Sequence, residues 1–291
     1  MQIPSNWTDY ALLDAGGGEK LERWGGVIVA RPDPQAIWPK DASAPWDACH
    51  LRYHRSKTGG GGWERRSPAP DRWTIGYKDL RFIIRPTDFK HMGLFPEQAV
   101  NWDWMRGRLS AFHEKTGSPA RALNLFGYTG GATAALAKAG ARVTHVDAAK
   151  SMNLWARENA LASGADGSGL RFIADDALKF VTREARRGNR CDAVVMDPPS
   201  YGRGAGGEVW KIEERLFELA AACAGLLSEN PAFFVINSYT TGFSPTVLEN
   251  VLRLALKLSP KRQNSLEAGE VGLRAANGLV LPCGAYCRAV F

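Results

Sequence analysis

The chain has 291 residues, a net charge of +7 and a pI near 9.2, with 45% hydrophobic and 23% charged residues. That composition belongs to a globular protein with room for one large or two modest domains, and the basic balance points to a polyanionic partner. No apolar run reaches the ~18–20 residues that span a bilayer, and the N-terminus lacks the basic start and apolar centre of a signal peptide, so the expectation is a cytoplasmic protein without membrane attachment.

Up to Asp88 the apolar stretches are short: Val27–Ala30, Trp73–Tyr77 and Arg81–Ile84, separated by turn formers at Arg31–Pro34 and Thr58–Gly62. This pattern predicts a small β-rich domain over residues 1–90. Its glycine run suits either a plain loop tip or a basic flap between Lys57 and Arg65 that orders on substrate. Between His50 and Lys90 ten lysines and arginines face four acids, an excess that nearly equals the net charge of the whole chain. Interleaved with them are Tyr53, Trp63, Trp73, Tyr77, Phe82 and Phe89. Cations for phosphates and aromatic faces for unpaired bases suit RNA, whereas a solvated β-domain with inward aromatics would look the same in sequence.

From Pro96 onward the elements lengthen. A helix around Glu97–Thr116 precedes an alternation of strands (Arg121–Phe126, Arg142–Val146, Leu170–Ala174, Ala193–Met196, Ala232–Asn237) and helices (Gly131–Ala139, Lys150–Ser163, Ala177–Arg187, Trp210–Leu227, Pro245–Leu258). The tail Ser265–Phe291 reads as an antiparallel hairpin turning near Gly278. The predicted fold class is α/β, a doubly wound, mostly parallel, seven-stranded Rossmann-like sheet over residues 91–291.

Ligands of such sheets bind beyond the carboxyl ends of the strands, and four motifs fall there. The turn Asn124-Leu125-Phe126-Gly127-Tyr128-Thr129-Gly130-Gly131 combines glycines that permit tight turns and close approach with a helix N-terminus that favours an anion. Its spacing differs from the Gly-x-Gly-x-x-Gly of dinucleotide enzymes, which argues against a nicotinamide cofactor. Asp147, followed by Ala148, stands about 20 residues beyond Gly127, where an acid accepts ribose hydroxyls or else caps the next helix. In Asp175-Asp176-Ala177 one carboxylate suits the exocyclic amine of adenine and the other a helix N-cap; Asp176 is favoured for adenine. Asp197-Pro198-Pro199-Ser200-Tyr201 ends a buried strand with an acid and two prolines. An Asp oxygen and a proline carbonyl there can hold an amine acceptor, and Tyr201 can stack on a flipped base. Arg203 and Lys211 suit substrate phosphate or solvent.

Five scattered cysteines (Cys49, Cys191, Cys223, Cys283, Cys287) read as reduced thiols, and neither they nor the five histidines show metal-ligand spacing, so no metal is expected.

These motifs, with Phe89–Gln98, together resemble the class I S-adenosylmethionine-dependent methyltransferases, in particular the family that includes large-subunit ribosomal RNA cytosine and guanine methyltransferases. The resemblance runs from about Phe89 to Tyr201. It implies that Phe95, Gln98, Asn124, Phe126, Tyr128, Thr129 and Gly130 lie near the methionine part of the cofactor, Asp147 at the ribose, Asp176 with Ala177 at the adenine, and Asp197–Tyr201 at the acceptor. Two departures stand out. The N-terminal region has room for one small domain, where ribosomal RNA members carry an RNA-binding module ahead of a β-rich one. No cysteine follows the two prolines, so a nitrogen acceptor fits the residues better than carbon 5, which the resemblance leaves open. The expected function is methylation of an RNA base with S-adenosylmethionine. Rival readings are transfer to a small molecule or protein amide, and a catalytically silent RNA-binding protein on the same fold.

Overall fold

The computed structural model describes residues 1–56, 60–203, 207, 209–258 and 265–291. They form two compact units, one of Gln2–Ala99 with Gly272–Cys283 and one of Val100–Val271 with Gly284–Phe291.

The first unit contains strands β1 (Tyr10–Gly16), β2 (Glu19–Trp24), β3 (Val27–Pro32), β4 (Leu51–Arg55) and β5 (Gly61–Arg65) in a sheet of that order, and a separate hairpin of β6 (Trp73–Tyr77) and β7 (Leu80–Ile84). The pairing of β5 with β4 takes up part of the glycine run, so the predicted loop is shorter than the sequence suggests. Lys57, Thr58 and Gly59, where the expected flap begins, lie outside the described residues.

In the basic segment several aromatics point inward, as the alternative reading of the sequence allowed. Tyr53, Tyr77 and Phe82 are buried, and the indoles of Trp63 and Trp73 donate to the carbonyls of Thr87 and Trp24. Arg52 pairs with Glu19, Arg65 with Asp71, and Arg66 with Glu64. Lys90 is half-buried, and burial together with neighbouring Lys20 lowers its pKa to about 8. Three of the six aromatics therefore build the core, and three of the ten cations, Arg52, Arg65 and Arg66, are paired within the unit; of the six, Phe89, 65% exposed, is the most open to a base.

The second unit holds α1 (Ala99–Thr116), β8 (Arg121–Leu125), α2 (Gly131–Lys138), β9 (Arg142–Asp147), α3 (Lys150–Ala162), β10 (Leu170–Ala174), α4 (Ala177–Arg186), β11 (Ala193–Met196), β12 (Tyr201–Arg203), β13 (Val209–Lys211), α5 (Ile212–Leu226), β14 (Phe233–Ser238) and α6 (Pro245–Lys257). Strands β15 (Ser265–Arg274) and β16 (Val280–Val290) complete it, their connecting tip belonging to the first unit. The sheet order is β10-β9-β8-β11-β14-β16-β15. The first five of these strands run parallel and β16 runs antiparallel to β14. This is the doubly wound, seven-stranded α/β sheet expected.

Its buried strands are apolar because helices cover both faces: Val194, Met196, Phe234 and Ile236 pack into one core with Leu216, Leu219 and Cys223 of α5 and with Leu248 and Leu252 of α6. The predicted helix Trp210–Leu227 starts two residues later, because Val209–Lys211 pairs with Tyr201–Arg203 in a short antiparallel ribbon. Among the described residues no helix is long and apolar enough to cross a membrane, and no group of three or more His, Cys, Asp or Glu side chains clusters as a metal site.

Candidate active site

Strand order reverses between β8 and β11, which lie side by side in parallel register with Leu125 opposite Met196. The two turns singled out in sequence therefore emerge next to each other at the switch point, where such sheets bind ligands. The Asp197 N–H donates to the Leu125 carbonyl at 3.4 Å, tying one turn to the base of the other.

The turn after β8 is strained. Phe126 (φ 54°) and Tyr128 (φ 51°) both adopt the left-handed conformation, which costs a non-glycine residue roughly 1–2 kcal/mol. Such strain persists where the surroundings over-determine it, and it marks functional turns. One restraint is Asp147, whose Oδ2 accepts the Tyr128 N–H at 2.9 Å while Oδ1 accepts the Ala149 N–H at 2.9 Å.

The glycines answer mainly to packing beneath the turn. A Cβ on Gly127 would lie 2.3 Å from the His145 ring, and one on Gly130 (φ +82°) 2.7 Å from the Ala156 Cβ of α3. His145 is buried, its Nδ1 2.8 Å from Thr133 Oγ1, which accepts from Asn124 Nδ2 at 2.9 Å. Asn124 thus has a structural task under the turn. Burial lowers the His145 pKa to about 4, so the ring is neutral. Thr129 is buried, and its carbonyl accepts from Asn159 of α3.

Burial raises the pKa of Asp147, with the two N–H donors opposing. Each carboxylate oxygen spends one lone pair on the backbone and keeps another. That donor set fits two vicinal hydroxyls. At the end of β10 the roles of the two acids differ from the sequence expectation. Asp176, favoured for adenine, is the N-cap of α4, its Oδ1 accepting from the Lys179 N–H at 2.9 Å. Asp175 accepts the Asp176 N–H and pairs with Arg183. Asp176 Oδ2 accepts no hydrogen bond among the described residues, so the cap leaves one oxygen for an amine.

At the end of β11 the prolines divide the work. The Pro199 carbonyl accepts the Trp210 indole N–H at 2.7 Å, whereas the Pro198 carbonyl accepts none among the described residues. Ser200 Oγ is 2.7 Å from Thr240 Oγ1, and its carbonyl accepts the Ile212 N–H. Tyr201 is 52% exposed, with its hydroxyl accepting from Arg203. Lys211 pairs with Glu214. Cys191 lies at the other end of the sheet's strands, and burial pushes its pKa up to about 12, so it is no nucleophile.

Sequence reasoning missed Trp210. Its ring lies 4.8 Å from that of Phe126, and its N–H holds Pro199, so one buried indole braces both turns. Read as the start of a helix, it carried no visible signal beyond being a tryptophan near the Pro-Pro turn. Phe95 and Gln98 belong to the first unit, at the 3₁₀ turn Pro96–Gln98.

A family model described as S-adenosylmethionine-dependent methyltransferase matches residues 41–259. A ribosomal RNA large subunit methyltransferase K/L from Allochromatium vinosum is 31% identical over 211 residues, 66% of this chain and 27% of that protein. A ribosomal RNA large subunit methyltransferase I from Aeromonas salmonicida is 34% identical over 118 residues, 40% of this chain and 27% of that protein. The chain thus spans about a quarter of the length of the curated relatives it matches. The crystal structure of a S-adenosylmethionine-dependent methyltransferase from Agrobacterium tumefaciens superposes with a TM-score of 0.91 at 33% identity, covering 99% of this chain and 92% of that one.

Proposed function

The chain belongs to the S-adenosylmethionine-dependent methyltransferase family, and on that premise we propose that it methylates a base of RNA, of ribosomal RNA type. The observation that carries this reading is the adjacency of the strained turn after β8 and the acid–proline turn after β11, with a half-exposed tyrosine at the rim. The names of the relatives support an RNA acceptor, and Tyr201 supplies the stacking face that a base taken out of its stack needs.

In this reading Asp147 accepts the ribose hydroxyls, and Asp176 Oδ2 with the Ala177 N–H meets the adenine edge. The cofactor supplies an electrophilic methyl group. Everything else falls to the chain. Asp197 and the Pro198 carbonyl accept the hydrogens of an acceptor nitrogen, aiming its lone pair across the gap between the turns. As that nitrogen gains positive charge, the Asp197 carboxylate stabilises it and can take its proton. Tyr201 stacks on the base, while Trp210 keeps the two turns in register.

The test is Asp197→Ala. Incorporation of labelled methyl groups into total RNA from cells lacking the protein should vanish, while S-adenosylhomocysteine affinity stays within a few fold. Collapse of cofactor binding with turnover surviving at saturating cofactor would reverse the assigned roles. Incorporation into small molecules or protein, with none into RNA, would refute the substrate class.

A further inference from the structure

The four strands β10, β9, β8 and β11 lie side by side; the first three start at or next to an arginine (Arg171, Arg142 and Arg121), and Arg190 stands three residues before the fourth. At about 4.8 Å per strand the row spans roughly 14 Å. It lines a groove of about 1230 Å³ at the amino end of the sheet, one strand length from the acceptor turn.

Arg121 and Arg142 are direct register partners. Like charges opposite one another on adjacent strands destabilise a sheet. Arg121 is neutralised, its guanidinium forked on both oxygens of Asp192 at 3.0 Å. Arg142 and Arg171 are exposed and make no hydrogen bond or salt bridge among the described residues. The acids of the groove are partly engaged: Asp166 holds the Ser168 turn, and Glu184 accepts from Arg187 and Asn189 while also lying in the field of Arg171.

Helices α2, α3 and α4 also end at this groove, and their C-termini carry roughly half a negative charge each. Lys138, Arg186 and Arg187, in or next to the last turns of α2 and α4, answer that charge. The strand arginines come in addition to them. With Arg121 matched by Asp192 and Arg171 sharing Glu184 with Arg187, the row keeps an excess of positive charge, centred on Arg142, that suits an anion from outside.

We propose that this groove is a second RNA contact, binding the sugar–phosphate backbone of the substrate away from the methylated base. It rests on RNA being the substrate. A strand entering the active site can pass over the edge of the sheet and place successive phosphates against the row, with Arg142 and Arg171 as the leading contacts. Guanidinium groups suit phosphate because their planar fork matches two oxygens at once.

The test compares the wild-type protein with Arg142→Glu/Arg171→Glu and with Lys115→Glu/Lys257→Glu, which makes the same charge change outside the groove. Binding of a fluorescein-labelled fragment of large-subunit ribosomal RNA is followed by anisotropy over a range of salt. The groove variant should bind at least ~10-fold more weakly at about 0.1 M salt. Its plot of log affinity against log salt should flatten by about 1.4, since each single-strand phosphate contact contributes about 0.7. The control pair should lose at most twofold, and both variants should keep wild-type affinity for S-adenosylhomocysteine. Wild-type RNA affinity in the groove variant, or an equal loss in both pairs, would overturn the groove while leaving RNA as the substrate. Failure of the wild-type protein to bind any RNA would remove the substrate reading and the groove together.

Discussion

Gly127→Ala tests whether the strained turn after β8, proposed to hold the cofactor, is built from beneath. Gly127 is not among the glycines with positive φ, so alanine meets no backbone penalty there, and a stiffer unfolded chain would by itself favour the variant by ~0.4–1 kcal/mol. The obstacle is steric. The new Cβ would lie 2.3 Å from the His145 ring, whereas carbon contacts settle near 3.5–4.0 Å, so turn or ring must retreat by more than about 1 Å. The ring has little freedom, being buried and held by Thr133. Overpacking of this kind costs about 1–3 kcal/mol. The turn gives way first, because Phe126 and Tyr128 already sit in strained conformations on either side. We therefore expect a loss of ~1–2 kcal/mol in urea unfolding and about tenfold weaker S-adenosylhomocysteine binding by calorimetry. Combining Gly127→Ala with His145→Ala removes the obstruction. The double variant should be at least ~1 kcal/mol more stable than the sum of the single losses, a coupling expected only of residues in contact. Additivity to within about 0.5 kcal/mol would refute the reasoning.

Three further expectations concern the acceptor side and the core beneath it. Tyr201→Ala should lower kcat/KM for RNA by ~5- to 150-fold, the range of one lost base-stacking contact of about 1–3 kcal/mol; Tyr201→Phe should stay near wild type, and equal losses in both would shift the role to the hydroxyl that Arg203 contacts. Trp210→Phe keeps an aromatic against Phe126 but releases the Pro199 carbonyl. Turnover should fall severalfold with S-adenosylhomocysteine affinity nearly unchanged, and an equal fall in both would mean that Trp210 does not brace the acceptor turn selectively. The His145 pKa, lowered by burial to about 4, sets an acid limit. The unfolded ring titrates near 6.5, so its stabilising contribution is complete above that pH and is lost as pH falls through the folded value, about 3 kcal/mol in all. Urea midpoints measured from about pH 7 to pH 4 should fall less steeply in His145→Asn than in wild type, and parallel curves would count against a buried neutral ring.

The parallel sheet was legible because its information is local. Apolar runs such as Ala193–Met196 are bounded by glycines, acids and prolines, and the strand ends carry the acids of the site. In the first unit the sequence obscures the strands. Strand β2, Glu19–Trp24, holds buried Glu22, paired with Arg31 of β3 and with the Tyr10 hydroxyl of β1. A charged residue in a core is readable only when its partners are known, and these lie on other strands. The same limit applies at Asp175 and Asp176. Adjacent identical side chains carry no sign of which one caps a helix, and the choice follows from the Lys179 N–H and the position of Arg183 eight residues on. Trp210 escaped because its task joins two turns distant in sequence.

The parallel arrangement itself connects the two ends of this sheet. Helices α2, α3 and α4 present N-termini beyond the carboxyl ends of the strands and C-termini beyond the amino ends, so acids are favoured at one end and cations at the other. Asp147, Asp176 and Asp197 stand at the first; Arg121, Arg142 and Arg171 stand at the second. The macrodipole therefore accounts for the sign of both rows but not for how far each is neutralised. Asp147 is tied by backbone donors on both oxygens and Asp176 on one, whereas Asp197 Oδ1 is buried with no hydrogen-bond partner among the described residues. Among the arginines Arg121 is paired with Asp192 and Arg171 lies in the field of Glu184, while Arg142, open to solvent, has no acid partner among the described residues. Helix dipoles alone give no reason for that difference. An acidic end that must hold one small cofactor in a fixed pose, and a basic end that must meet a longer polyanion in many registers, would produce it.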